Sequence, residues 1–208
     1  MFFSTFFSEL KRKSLHILSL IFPIVLLFLP YGKDIEERLY GLIYLGTLAI
    51  ISILIDILRV KSIRFKKLYF KIFGDILRRH ELKGRFTGAT NFFISIFLVY
   101  LIFPFFDMKL DYIVMVYVGF MIGDAFAAII GKSMGRIKIT KNKTLEGTIG
   151  CIIGSFLTIS PFIFNNYHNL YPAIFISILI GIFELITFYI DDNFFVPVST
   201  LIVLKIFF

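Results

Sequence analysis

The sequence has little charge and only one cysteine for its length, and both shortages narrow the class of protein. Charged residues occupy 17% of its 208 positions, against about a quarter in soluble domains. The single cysteine, Cys151, can form no internal disulfide. Hydrophobic residues make up 58%, and 28 residues are phenylalanine. A water-soluble globule, a disordered chain and a secreted disulfide scaffold are therefore excluded, and a polytopic membrane protein of one domain, 1–208, remains.

Long apolar runs recur along the chain at lengths that suit a lipid bilayer. A hydrocarbon core of about 30 Å needs roughly 20 mostly apolar residues in each helix. Such runs cover 14–30, 39–58, 87–106, 112–131, 148–164 and 171–190, and a shorter run follows at 194–208. The sequence therefore predicts an all-α, polytopic membrane helix bundle with six to seven transmembrane helices.

The basic residues are concentrated on one side of these predicted spans. Most of the 22 lysines and arginines lie in the N-terminal segment 11–13 and in the two loops 59–86 and 132–147. The positive-inside rule therefore places the N-terminus and both loops in the cytoplasm, in a multi-pass protein integral to the cell membrane.

The first of these loops contains a dense basic and aromatic segment at 61–71. This composition is typical of an amphipathic helix that lies on anionic lipid headgroups. A direct part in binding a substrate is the alternative that the sequence leaves open. Nothing in the chain resembles a module that reads bases, so we expect membrane lipids and no nucleic acid as partners.

Two carboxylates fall at membrane depth, where an acid costs about 2.5–3.5 kcal/mol on insertion scales. Asp124 lies about 10 Å of helical rise before Gly131, and Glu184 lies about as far before Asp191, on the same side. They are predicted to converge on a metal site or on a site neutralised by cations. The alternative is a pair of buried acids with a purely structural role, neutralised by lysine or by protonation.

Small residues accompany Asp124 along one face of its predicted helix, from Gly119 to Gly131. Small residues four apart are typical of close helix packing. Here they would let a neighbouring helix or a ligand approach the carboxylate. The same face would serve a homodimer as easily as packing within one chain.

Directly after that helix comes a loop rich in glycine and basic residues. Glycines let backbone N–H groups approach an anion, and basic side chains neutralise it, so the loop predicts a polyphosphate site. Its candidate residues are Gly131, Gly135, Arg136, Lys138, Lys141, Lys143, Glu146 and Gly147. A second helix start at Thr87 and Gly88 predicts an N-cap whose free N–H groups could hold another phosphate.

Two more polar positions have simple local explanations. Asp56 and Arg59, at i and i+3, are adequately explained as a salt bridge on a helix surface. His16 lies at the cytoplasmic boundary, where a histidine alone is more often interfacial than catalytic.

Taken in order, these elements resemble the family of CTP-dependent lipid-alcohol kinases, which includes dolichol kinase, phytol and farnesol kinases and a CTP-dependent diacylglycerol kinase. The similar motifs are Glu9-x-x-Arg12-Lys13-x-x-His16, Asp56-x-x-Arg59, Thr87-Gly88-Ala, the segment 123–131 with 143–147, and Glu184 followed by Asp191-Asp192-Asn193 and Pro197. The resemblance covers nearly the whole chain.

The resemblance implies a reaction between CTP and a lipid alcohol, either an isoprenoid alcohol or diacylglycerol. It implies that Mg²⁺ bridges the phosphates to Asp124, with Glu146 or Asp192 as a candidate second ligand. It also implies that Arg136, Lys138, Lys141 and Lys143 neutralise the transferred phosphoryl group. The candidates for the base that accepts the hydroxyl proton are Asp192, Glu184 and His16.

Two alternatives to a kinase stay open. The segment 123–147 is also similar to phosphatidate cytidylyltransferases, which would make CDP-diacylglycerol and release pyrophosphate. Their longer C-terminal signature is absent after Gly147, so cytidylyl transfer ranks second. A transporter would also place acids at mid-depth, but the sequence has no convincing internal repeat or pair of broken helices.

Overall fold

Helices form nearly all of the regular structure that the computed structural model describes. It describes residues 2–32, 34–140, 143–167, 170–187 and 190–207, without the side chains of 2–7, 79–80 and 164–167. The helices are α1 Phe2–Leu18, α2 Ile21–Val25, α3 Ile35–Lys61, α4 Ile63–Phe73, α5 Arg79–Leu82, α6 Gly88–Ile102, α7 Leu110–Ser133, α8 Leu145–Tyr167, α9 Tyr171–Ile186 and α10 Asp192–Phe207. Short 3₁₀ turns lie at Leu26–Phe28, Gly74–Ile76 and Phe103–Phe106.

Four helical segments among the described residues are long and apolar enough to cross a membrane. They are Ile35–Lys61, Gly88–Phe106, Leu110–Ser133 and Leu145–Ile163. Each coincides with one of the runs predicted from the sequence. The chain is therefore a helical, membrane-embedded bundle, although the structure gives four such helices and not the predicted six to seven.

The remaining apolar runs are helical but shorter than a full span, for local reasons. The run 14–30 is interrupted because Pro23 has no N–H to give to the Ser19 carbonyl, which instead accepts from Phe22 N at 3.1 Å. α9 and α10 each have only 16 residues. At 1.5 Å per residue, each of these two helices is about 24 Å long.

α7 lies at the centre of the bundle. Its sequence is apolar on all sides over its first half, which is the pattern of a helix surrounded by protein, and nearly every residue from Ile113 to Ala125 is buried. α1, α2, α6, α8, α9 and α10 all pack against it. Asp124 therefore lies within the protein and not on its lipid-facing surface.

The most extensive of these contacts is between α7 and α8, and small residues make it. Gly119, Gly123, Ala127 and Gly131 recur every four residues along α7. A Cβ added to Gly123 would lie 2.2 Å from Ser155 Oγ and 2.9 Å from the Cys151 carbonyl oxygen of α8. The small-residue face of α7 is thus covered within the chain, where the sequence left a homodimer equally open.

The helix directions bring six helix ends to one face of the bundle. α3, α7 and α9 end at this face, while α6, α8 and α10 begin there, because consecutive helices are joined by connections that reverse the chain. The polar part of α1 and the segment around α5 cover the same face. This arrangement, and not any single motif, positions the site.

Candidate functional site

A large cavity of about 1280 Å³ opens at this face of the bundle. Charged side chains dominate its wall. The basic ones are Arg12, Lys13, Arg78, Arg85, Lys132 and Lys143, and the acidic ones are Glu9, Asp124, Glu184, Asp191 and Asp192. Because opposite charges are nearly balanced, the geometry of their pairing decides what the cavity can bind.

The first pair joins α1 to α7. Lys13 Nζ donates to Asp124 Oδ2, and both residues are buried. His16, one turn further along α1, has its Nε2 3.6 Å from the same carboxylate oxygen, and this nitrogen makes no hydrogen bond with a described residue. His16 itself does not line the cavity. Its ring packs edge-on against Phe120. Asp124 is therefore neutralised by lysine, which is one of the two structural explanations that the sequence offered.

A second pair joins the start of α8 to the end of α9. Lys143 Nζ lies 2.8 Å from Glu184 Oε1 and also donates to the Glu184 carbonyl oxygen. Glu184 is buried and faces the cavity together with Asp124. The structure thus brings the two acids that the helical rise placed at one level into the same cavity, each with its own lysine.

The third pair joins the segment before α5 to the start of α10, and its basic partner is a residue that sequence reasoning missed. Arg78 makes a bidentate contact with Asp192, with Nη1–Oδ1 at 2.8 Å and Nη2–Oδ2 at 2.9 Å. Its Nη1 also lies 3.1 Å from Asp191 Oδ2. Two parallel N–H···O bonds of this kind fix geometry as well as charge.

These contacts shift the pKa values of Arg78 and Asp191. Burial disfavours the guanidinium, but Asp192 and Asp191 outweigh it and raise the pKa of Arg78 above its ordinary value. Burial and the neighbouring Asp192 raise the pKa of Asp191. Asp191 lies beside the charged carboxylate of Asp192 and therefore holds its proton more strongly than an aspartate in water does.

Many of the residues predicted from the sequence meet in this cavity. They are Glu9, Arg12, Lys13, Asp124, Gly131, Lys143, Gly147, Glu184 and Asp192. Residues that the sequence did not single out complete the wall, among them Arg78, Arg85, Asn91, Lys132 and Thr144. The sequence did not identify Arg78 and Arg85, because they belong to a loop with many basic residues and no pattern distinguishes them from the others.

The glycines of the loop after α7 have a packing role in the structure. Thr144 caps α8, since its Oγ1 accepts from Gly147 N at 3.1 Å. A Cβ at Gly147 would lie 3.1 Å from the Ala127 carbonyl oxygen, and one at Gly135 would lie 2.2 Å from the Gly131 carbonyl oxygen. These glycines therefore let backbones touch, where the sequence predicted that they cradle an anion.

Several candidates from that loop lie away from the cavity wall. Arg136 and Lys138 are exposed on a short hairpin, in which Leu145 N donates to the Ile137 carbonyl oxygen at 2.9 Å. Glu146 accepts from Ile137 N at 3.2 Å and braces this hairpin, so it does not join Asp124 as a metal ligand here. Lys141 lies outside the described residues.

The start of α6 has the predicted cap, but acidic side chains of the protein already engage the N–H groups of Thr87 and Gly88. Thr87 accepts from Thr90 N, as an N-cap does. However, Thr87 N donates to Asp56 Oδ2 at 2.7 Å, and Gly88 N donates to Glu81 Oε1 at 2.8 Å. The side chains of Asp56 and Glu81 thus occupy the place that the sequence assigned to a phosphate.

Asp56 and Arg59 are a buried pair, and the prediction of a surface salt bridge is wrong. Each is only 2% exposed. Arg59 donates to Asp56 Oδ1 at 3.0 Å and to the carbonyl oxygens of Glu81 and Arg85 at 2.6 and 2.7 Å. The pair holds the segment 81–87 on the end of α3 and so fixes the loop that presents Arg78.

The C-terminal motif residues also have identifiable roles. Asn193 N and Nδ2 both donate to Asp191 Oδ1, which fixes the first turn of α10. Pro197 has no N–H for the Asn193 carbonyl oxygen, and Ser95 Oγ lies 3.1 Å from that oxygen and donates to it instead. Asn193 and Pro197 therefore attach α10 to α6 behind the cavity.

The basic segment 61–71 falls largely in α4 and contributes no residue to the cavity wall. Phe65 and Tyr69 face inward, while Ile63, Leu68 and Ile72 are exposed. Of the two uses that the sequence left open, a lipid-facing helix fits this placement.

The donor set of the cavity suits a Mg²⁺ ion that arrives with phosphates. Among the described residues, no group of three or more His, Cys, Asp or Glu side chains could hold a metal by itself. Mg²⁺ is usually bound through one or two carboxylates together with substrate phosphates and water. Asp124, Glu184 and Asp192 provide carboxylates of this kind, whereas Glu146 does not face the cavity.

Comparison with known proteins gives one relative whose own role is undefined. The chain is 26% identical over 199 residues to Uncharacterized protein RP860 of Rickettsia prowazekii (strain Madrid E), and the match covers 92% of this chain and 90% of the relative. No family model and no solved structure matches the chain. The comparisons therefore assign no family to the chain.

Proposed function

We propose that the chain is a CTP-dependent kinase that transfers the γ-phosphoryl group of CTP to the hydroxyl of a membrane lipid alcohol. The observation that carries this proposal is the charged cavity at one end of a membrane-embedded bundle. Ligand pockets commonly measure about 300–1,000 Å³, so a cavity of about 1280 Å³ has room for a nucleotide and a lipid headgroup together.

The proposal includes an orientation in the membrane. The N-terminus and the loops 59–86 and 132–147 would face the cytoplasm, where CTP is available, because they hold most of the basic residues. α1 with α2, α9 and α10 would cross the bilayer beside the four long helices and give seven crossings in all. α9 and α10 pack against α7 and so share its depth.

The basic residues of the cavity would bind the phosphates, and its acidic residues would bind the metal ion. Lys13, Lys143 and Arg78 would bind phosphate oxygens and neutralise the charge of the transferred group. Bound Mg²⁺ would supply further neutralisation at the phosphates, and one or two of the carboxylates Asp124, Glu184 and Asp192 would hold it. The exposed Arg85 at the rim would meet the incoming anion first.

The transfer itself forms one bond and breaks one. The lipid hydroxyl oxygen bonds to the γ-phosphorus, the bond from that phosphorus to the bridging oxygen breaks, and CDP leaves. The hydroxyl proton passes to a base of the protein. Of the three candidates, Asp192 and Glu184 line the cavity whereas His16 does not, so we propose that one of these two carboxylates accepts the proton.

Label transfer from CTP tests this function directly. Purified protein in mixed micelles would receive Mg²⁺, a prenol, diacylglycerol and phosphatidate, with CTP labelled at either the γ- or the α-phosphorus. The kinase predicts that label reaches lipid from the γ position alone, and the labelled lipid identifies the acceptor. Label that reaches lipid only from the α position would establish a cytidylyltransferase, which joins CMP to phosphatidate and releases pyrophosphate.

A further inference from the structure

Each deep carboxylate of the cavity already has a cationic partner from a different element. Lys13 on α1 pairs with Asp124 on α7, Lys143 before α8 pairs with Glu184 on α9, and Arg78 before α5 pairs with Asp192 on α10. The charges that would bind a nucleotide and the charges that would bind a metal are therefore engaged with one another.

This pairing disfavours a ligand that carries only one sign of charge. A metal-free polyphosphate would take Lys13 from Asp124 and leave a buried carboxylate without a counter-charge, which is strongly unfavourable. A free divalent cation would release the lysine and leave it unpaired in the same way. A ligand that brings both charges leaves neither partner alone.

We propose that the cavity binds a complex of a divalent cation with a polyphosphate by exchange of these ion pairs. Lys13, Lys143 and Arg78 move their hydrogen bonds to phosphate oxygens, while Asp124, Glu184 and Asp192 become available to the cation that the ligand carries. The inference rests on the proposed function in taking a nucleotide as the natural ligand. It adds that metal-free nucleotide binds weakly because the protein's own carboxylates compete for the cations.

The exchange makes a prediction that a purely structural role of the carboxylates does not share. Asp124→Asn removes the competitor of Lys13, and Glu184→Gln removes the competitor of Lys143. Each variant should therefore bind metal-free polyphosphate more tightly than the wild type. The probe is inorganic tripolyphosphate in EDTA, measured by calorimetry on the full chain in detergent at constant ionic strength.

A matched control separates exchange from a general change of net charge. Asp75 is exposed, lies in the Gly74–Ile76 turn that contacts α1, and makes no ion pair among the described residues. Asp75→Asn changes the net charge by the same amount as Asp124→Asn. We expect a gain of at least about tenfold in tripolyphosphate affinity for the two cavity variants and a change of less than about twofold for Asp75→Asn.

Three results would overturn the exchange. The first is a cavity variant that elutes like the wild type and binds tripolyphosphate no more tightly. The second is an equal gain in Asp75→Asn. The third needs no variant: Mg²⁺ should strengthen tripolyphosphate binding by the wild-type protein at least about tenfold, and equal affinity with and without Mg²⁺ contradicts the proposal.

The outcomes distinguish this inference from the proposed function. Transfer of γ-label by the wild type, with no gain in the cavity variants, overturns the exchange and leaves the kinase. A gain in the cavity variants, without any transfer of label from CTP, overturns the kinase and leaves the exchange.

Discussion

At the scale of single residues, the structure separates the basic residues that line the cavity from those that do not. Lys143 lines the cavity, whereas Arg136 and Lys138 are exposed on the adjoining hairpin. The sequence placed all three in one nucleotide-binding set, because they share one loop. Only the folded chain shows which of them points into the bundle.

Lys143→Gln should therefore raise the KM for CTP by at least about tenfold. The reason is the loss of a charge-assisted hydrogen bond, which contributes about 1.5–3 kcal/mol. Arg136→Gln and Lys138→Gln are the controls and should change KM by less than about fivefold, since exposed charges contribute about 0–1 kcal/mol. If all three variants showed the same rise in KM when CTP is titrated, the prediction from the sequence, in which all three residues of the loop bind the nucleotide, would be favoured.

Arg59 is the residue whose loss should most damage stability without touching the cavity. Arg59→Met leaves Asp56 buried without its counter-charge and also removes two bonds to the segment 81–87. We expect the free energy of unfolding to fall by about 3–5 kcal/mol, measured by denaturant titration in detergent. Lys61→Met, at an exposed position of the same helix, is the control. If both variants were equally stable, the buried Asp56–Arg59 pair would not stabilise the protein as we expect.

At the scale of elements, the main helices and the level of the two deep acids can be predicted from patterns in the sequence. Apolar runs of about 20 residues predict the long helices, and the helical rise predicts that Asp124 and Glu184 lie at one level. The partners of these acids could not be predicted, because Lys13 is far from Asp124 in the chain and Lys143 is far from Glu184. The break before Pro23 was also missed, since the apolar run continues through it.

The α7–α8 contact depends on glycine at its closest point. A Cβ at Gly123 meets Ser155 Oγ at 2.2 Å and a backbone oxygen at 2.9 Å, so a larger side chain must push the two helices apart. Gly123→Leu is expected to lower the free energy of unfolding by about 3 kcal/mol, at the upper end of overpacking.

The control for this prediction is Gly74→Leu. A Cβ at Gly74 would meet only Phe70, at an ordinary 3.8 Å. The measurement is the temperature at which half of the detergent-solubilised protein still elutes as in the unheated sample. If Gly123→Leu and Gly74→Leu melted together, α7 and α8 would not be packed as closely as the structure has them.

At the scale of the whole molecule, all of the cavity residues lie at one face because six helix ends meet there. The face also holds most of the basic residues, so the orientation that we propose from the positive-inside rule would place it on the cytoplasmic side.

Labelling of introduced cysteines tests this orientation. In a Cys151→Ser background, Lys61→Cys and Lys138→Cys should react with an impermeant maleimide only from the cytoplasmic face of membrane vesicles. Asp34→Cys, at the start of α3, should react only from the opposite face. All three positions are exposed, whereas Cys151 is fully buried. Reaction of Lys138→Cys and Asp34→Cys from the same face would contradict the arrangement.

The central claim is that the cavity around Asp124 performs the transfer, and one pair of variants tests it most directly. Asp124→Asn removes a charge from the second half of α7, and Asp111→Asn removes the same charge from its first turn. Of the two residues, only Asp124 faces the cavity. Both would be assayed for transfer of label from γ-labelled CTP to lipid. We predict that Asp124→Asn loses at least about a hundredfold in rate, the scale of losing an electrostatic stabiliser of a transition state, while Asp111→Asn retains wild-type activity. Full activity in a well-folded Asp124→Asn preparation would contradict the account.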